Sequence, residues 1–129
     1  MRNSDSEKIN LSKTALLLIG FQNDYFSPDG ILHEVLEDDV QNTIALNSTL
    51  SLLKLTGKDF GSIISTPIVF TDDYSELNNP VGVLATIKEA RAFQKDSYGG
   101  ATISQLDPYH DLMEEIPGKR GLNAFSNTN

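Results

Sequence analysis

The feature that most constrains this chain is a five-residue apolar run, Ala15-Leu16-Leu17-Leu18-Ile19, set between polar residues and closed by Gly20. A run so short, bounded by turn formers, reads as a strand buried on both faces, as in a parallel sheet. Its periodicity alone leaves a buried helix open. The segment Ser27-Pro28-Asp29-Gly30 is turn chemistry and predicts a loop a few residues later. Between run and turn lie four groups rich in hydrogen-bonding capacity: Gln22, Asn23, Asp24 and Tyr25. In an open α/β sheet, ligands bind at the carboxyl ends of strands. That packet is therefore the first candidate site.

The rest of the chain supplies the remaining elements. Residues 1–12 read as a surface arm, and 13–129 as one α/β domain. The first strand is expected near 13–20. A helix is expected near 38–56, with Asp38 or Asp39 as its cap and Gly57 as its terminator. Leu36, Val40, Ile44, Leu46, Leu50 and Leu53 lie mostly at spacings of three or four, so one stripe should face a core. Residues 61–66 read as the second strand, stopped by Pro67, which cannot donate to a ladder. Residues 83–93 have helical spacing in part, and Gly99-Gly100 marks a turn or loop. A short helix interrupted near Pro108 is expected within 103–112, and a third strand over 112–117. Strand, helix, strand, helices, strand is the pattern of parallel βαβ units with right-handed crossovers.

Charge and composition narrow the function classes. Ten basic against eighteen acidic residues give a net charge of −8, which disfavours nucleic acid as a partner. No apolar run approaches the ~20 residues needed to span a bilayer, and residues 1–13 lack the apolar core of a secretory signal. The expectation is a cytoplasmic protein without a membrane or nucleic-acid partner. There is no cysteine, hence neither a disulfide framework nor a thiol nucleophile. His33 and His110 have no ligand spacing and read as surface residues, so neither a metal nor another cofactor is expected. Gly118-Lys119 is not a phosphate loop, because the Walker spacing of glycines is missing.

Two motifs carry a family resemblance. Leu18-Ile19-Gly20-Phe21-Gln22-Asn23-Asp24-Tyr25-Phe26 resembles the first motif of the isochorismatase-like hydrolases, which include nicotinamidases and carbamoylsarcosine-type amidohydrolases. Pro117-Gly118-Lys119-Arg120-Gly121-Leu122-Asn123-Ala124-Phe125 resembles the segment after the third strand that bears the family's catalytic lysine. The resemblance implies a three-layer, Rossmann-like parallel sheet flanked by helices. It covers almost the whole chain but about two-thirds of a family domain, as if cut after the third strand. It further implies a small amide, carbamoyl or vinyl-ether metabolite as substrate. With fewer strands than the family domain, strand one would become an edge, so a homo-oligomer or a complementing fragment is expected.

The resemblance assigns Lys119 the catalytic role: its ammonium would stabilise negative charge and favour a thiolate. Read from the residues alone, Lys119 and Arg120 form a solvated turn. Gly20 stands where the family keeps its catalytic Asp, and glycine carries no proton. Asp24 is the nearest carboxylate that could substitute, although an Asx residue in a loop more often bonds backbone. Gly20, Gln22, Asp24, Tyr25 and Phe125 form the expected substrate pocket. For Tyr25 a half-buried ring is an equal alternative, and for Phe125 a core position is the stronger one. Two other readings stand beside the hydrolase: a non-catalytic binding or interaction module on the same fold, and an unrelated flavodoxin-like protein.

Overall fold

The computed structural model describes residues 8–33, 39–118 and 125. Three strands, β1 (Ala15–Ile19), β2 (Ser62–Thr66) and β3 (Glu114–Glu115), form one sheet in the order β1-β2-β3. Both pairings are parallel. Leu16 lies opposite Ile63 and Leu18 opposite Ser65, while Ser65 also faces Glu115. The α/β class and the parallel sheet flanked by helices are as expected from the sequence.

The strands are shorter than expected, for local reasons. Leu11–Lys13 is a 3-10 turn capped by Asn10, whose side-chain oxygen accepts from the Ser12 amide at 3.1 Å, so β1 begins only at Ala15. Leu112 closes a 3-10 helix over Ser104–Leu112, which takes the first residue expected for β3. Beyond β3 the bonding continues outside the strand proper: Ile116 donates to the Ser65 carbonyl at 2.8 Å and Gly118 to that of Pro67 at 3.1 Å. Pro108 sits inside the 3-10 helix rather than interrupting it. Its fixed φ suits a helical turn even though it lacks a donor.

Three helices complete the frame: α1 (Asn23–Phe26), α2 (Asp39–Thr56) and α3 (Val83–Ala90). Helix α2 matches the expected span to one residue. The expected Asp38 cap lies outside the described residues, as does Leu36. Its apolar stripe is narrower than the spacing suggested. Leu46, Leu50 and Leu53 pack with Leu18, Ile63, Ile103 and Leu106 in the core beneath the sheet. Val40 and Ile44 are exposed instead. At about 100° per residue, Ile44 lies roughly 160° round the helix from Leu46. The series of threes and fours breaks between these two, so the helix carries two apolar faces and buries one.

The strongest correction concerns β1. Leu18 is buried against α2, but the alternate side chains Leu17 and Ile19 are 37% and 45% exposed. Among the described residues only one face of this strand is covered, and its outer edge pairs with nothing. The apolar run is that of a strand able to be buried on both sides, but among the described residues only one side is covered.

A second core lies around Phe70, Tyr74, Leu77, Ile87 and Phe93, with Leu32 joining it from the loop after α1. Tyr74 has a left-handed backbone (φ 54°) and buries its ring. Its hydroxyl donates to the Ala92 carbonyl at 2.7 Å, and burial holds the phenol pKa above its ordinary value. This core forms from loops after β2 together with α3, and it backs the loop that carries the candidate site.

Candidate functional site

The site grows from the end of β1. Gly20 donates to the Thr66 carbonyl at 3.3 Å, the last rung between β1 and β2, and then turns with φ +75°. A glycine takes this conformation without cost, whereas a side-chain-bearing residue is strained there. An aspartate at position 20 would have to accept that backbone. The departure from the family motif is thus matched by a local geometry suited to glycine.

Gln22 follows and is fully buried. Its amide nitrogen donates to the Ile68 carbonyl at 2.7 Å and to the Gly100 carbonyl at 2.8 Å, while its oxygen accepts from the Ile68 amide at 2.8 Å. A glutamine can donate twice and accept at the same time, which neither Glu nor Leu can do. The side chain therefore ties three segments together: the end of β1, the chain after β2, and the Gly99-Gly100 loop.

Asn23 and Asp24 extend the clasp. Asn23 donates from its side chain to the Tyr98 carbonyl at 2.8 Å and from its backbone to the Ala101 carbonyl at 3.0 Å. Asp24 is 3% exposed. Its Oδ2 accepts from the Phe93 amide at 2.7 Å, and Oδ1 receives a long contact from the Ile31 amide at 3.5 Å. Its backbone amide donates to the Gly99 carbonyl at 2.9 Å. The carboxylate is held by the protein's own backbone amides, the arrangement the Asx reading anticipates.

The glycine pair at 99–100 belongs to this site, and sequence reasoning assigned it only to a turn. A Cβ built on Gly99 would overlap the Asp24 carboxylate. The clue was present as a Gly-Gly dipeptide, since glycine in a loop often marks a close approach of another group. Replacing Gly99 by Ala is expected to destabilise the fold by about 1–3 kcal/mol through overpacking. Chemical denaturation measures this directly. A Gly99→Ala protein with an unchanged midpoint would show that Asp24 moves aside freely.

The remaining expected site residues are placed as follows. Tyr25 is half-exposed, edge-on to Phe26 at 5.1 Å between ring centroids, and its carbonyl accepts from the Asn42 side chain at 3.2 Å. Phe125 is 71% exposed, so it fills no core. Lys119 lies outside the described residues. Gly20 and Gln22 in the turn after β1, and Asp24 and Tyr25 in the short helix α1 that follows it, share one segment at the carboxyl end of β1. A cleft of about 310 Å³ opens nearby, between Pro67 and Val69 after β2 and the Gln94–Ser97 turn, with Lys95 and Glu115 on its walls.

The loop after β2 uses its acids for its own folding. Asp73 accepts from the Thr71 hydroxyl at 2.9 Å and from the Ser75 amide at 3.1 Å. The Thr71 hydroxyl and these loop bonds hold the Asp73 carboxyl below its usual pKa. Glu76 accepts from the Thr71 amide at 2.7 Å. Among the described residues no three His, Cys, Asp or Glu side chains converge as a metal site. His110 is exposed as expected. His33 is only half-exposed, and its Nδ1 is buried with no hydrogen-bond partner among the described residues.

No helix among the described residues is long and apolar enough to cross a membrane. Neither a family model nor a curated protein matches the chain. Solved structures do. The chain is similar to nicotinamidase PncA from Bacillus subtilis, with a TM-score of 0.63 and 18% identity over 90% of this chain and 60% of that one. A second structure, of nicotinamidase/pyrazinamidase PncA from Bacillus subtilis, aligns with a TM-score of 0.63, 17% identity and 90% and 61% coverage. The chain thus spans about 60% of the length of these neighbours. At such identity the likeness shows the fold alone: this is an α/β chain whose described elements share the architecture of the corresponding part of those structures.

Proposed function

We propose that this chain is an isochorismatase-like hydrolase domain directed at a small amide, carbamoyl or vinyl-ether metabolite in the cytoplasm, and that these 129 residues alone do not turn substrate over. The observation that carries the reading is the Gln22 clasp. It holds the packet Gly20 to Tyr25 at the carboxyl end of β1, in a fold shared with nicotinamidase structures. Lys119 is the proposed catalytic residue, stabilising negative charge that develops on the substrate. Gly20, Gln22, Asp24, Tyr25 and Phe125 are the proposed pocket, with Gln22 and Asp24 shaping its wall from behind.

The inactivity follows from chemistry. Nucleophilic attack on an amide carbonyl requires an activated nucleophile, and the chain has no cysteine. Proton transfer requires an acid or base in reach, and Gly20 offers none. The Asp24 oxygens already accept backbone hydrogen bonds.

A second reading is a non-catalytic binding or interaction module on the same fold. The engagement of Gln22 and Asp24 with backbone favours it, because a wall can persist when the acid is gone. Assays with nicotinamide, carbamoylsarcosine and isochorismate are expected to show no turnover above the buffer rate. Turnover that vanishes on Lys119→Ala would overturn the inactivity and establish the hydrolase. Saturable binding of one of these compounds without turnover would favour the module.

A further inference from the structure

We propose that the outward face of helix α2 is a self-association surface, where two copies of this chain meet with α2 packed antiparallel on α2. A surface helix of a globular protein carries its apolar residues on one stripe and its charges on the opposite face. Helix α2 does not. Leu46, Leu50 and Leu53 pack inward, yet Val40, Ile44 and Leu55 are 62%, 51% and 78% exposed. Its 18 residues hold one acid, Asp39, and one base, Lys54, although 22% of the whole chain is charged. A face rich in exposed aliphatics and poor in charge has the composition of the core of an interface.

The face has the geometry of a helix-packing seam. Ile44, Ser48, Ser51 and Leu55 follow one another at spacings of four, three and four, as in helices that pack side by side. At about 100° per residue, these four and Val40 fall within about 80° of one another round the helix. Ser48 and Ser51 are exposed at the middle of the seam, where short side chains let a second helix approach closely.

The occupant that fits is a second copy. A two-fold axis near Ser48 and Ser51 sets Leu55 of each copy against Ile44 of the other and closes the assembly as a dimer. It brings the last turn of each helix, with Lys54, alongside the first turn of the other, with Asp39. The charged residues of the helix then meet opposite charge, and the two helix dipoles oppose each other. A parallel pairing would set like charge beside like. The surface is distinct from the edge of β1. Helix α2 covers the sheet face that carries Leu18, and its seam points away from the sheet, whereas Leu17 and Ile19 lie on the other face. One helix about 27 Å long makes a small contact, so the dimer is expected to be weak, with a dissociation constant in the micromolar range or above.

The chain has no cysteine, so a single introduced thiol reports on its own surroundings. Ser48→Cys is expected to form a disulfide-linked dimer under mild oxidation at least about tenfold faster than Ser104→Cys, because association raises the effective concentration of the thiols. Ser104 is also exposed but lies on the 3-10 helix, away from the seam. Adding Leu55→Glu should slow the Ser48→Cys cross-link about tenfold and leave Tm unchanged, since Leu55 is exposed in the single copy. Adding Leu17→Lys should leave the cross-link intact. Cross-linking of Ser48→Cys no faster than that of Ser104→Cys would leave the face to another occupant and overturn the proposal. So would a cross-link indifferent to Leu55→Glu. A cross-link lost with Leu17→Lys would assign the contact to β1 and overturn it too. The comparison of the two cysteine positions stands even where Leu55→Glu fails to fold, and none of these readouts depends on hydrolase activity.

Discussion

Replacing Gln22 by Leu is expected to remove most of the stability of this chain. The substitution keeps the volume and deletes three buried hydrogen bonds, to the Ile68 carbonyl, the Gly100 carbonyl and the Ile68 amide. Each backbone group left unsatisfied costs about 1–3 kcal/mol. Three of them amount to roughly 3–6 kcal/mol after partial relaxation, against a total stability of about 5–15 kcal/mol for a domain. Gln22→Glu should be nearly as harmful: a carboxylate still accepts from Ile68 but cannot donate to two carbonyls, and its charge would be buried. Thermal and urea unfolding measure both. A shift in Tm of only a few degrees for Gln22→Leu, equivalent to about 1 kcal/mol, would show that water takes over the three groups and that the clasp is not what joins the segments.

The 129-residue chain is expected to self-associate through β1, with a second copy as the partner. The reason is the coincidence of two features on one strand. Its outer edge pairs with no other strand among the described residues, and its uncovered face presents Leu17 and Ile19 at 37% and 45% exposure. No charged residue lies within Ala15–Ile19 to blunt the edge. The net charge of −8 opposes association, but at physiological ionic strength such repulsion is screened beyond about 8 Å. Burying one Leu side chain is worth about 1.5–3 kcal/mol, so the local apolar contact outweighs the diffuse charge. Leu17→Lys should therefore raise the dissociation constant by more than about tenfold. Sedimentation velocity over a concentration series reads this out. A monomer that unfolds cooperatively and sediments identically with and without Leu17→Lys would sink the prediction.

These two predictions sit on opposite sides of the divide between what the chain announces and what folding adds. The strand at Ala15–Ile19, the helix ending at Thr56 and the parallel order were legible in the sequence, because each rests on local period and punctuation. An apolar run of five has the length of a strand, Gly57 follows the last turn of α2, and Pro67 follows β2. The packet Gln22-Asn23-Asp24 was legible as a set of hydrogen-bonding groups at a strand end, and the Asx reading of Asp24 as a backbone acceptor was available from residue type alone.

Tertiary structure decided the rest. Which face of β1 is covered depends on where α2 packs, and no periodicity within five apolar residues contains that information. Which apolar residues of α2 turn inward depends on the same contact: Leu53 is buried and Leu46 and Leu50 are half-buried, while Val40 and Ile44 are exposed, although all five are apolar. The partners of Gln22 lie 46 and 78 residues away, at Ile68 and Gly100, distances over which sequence pattern carries no register. The Gly99 requirement exists only because Asp24 comes to rest against it. The sequence by itself determined the elements and the residue types able to bond at their ends. The fold alone determined which of those groups meet, because hydrogen-bond geometry and packing are properties of neighbours in space.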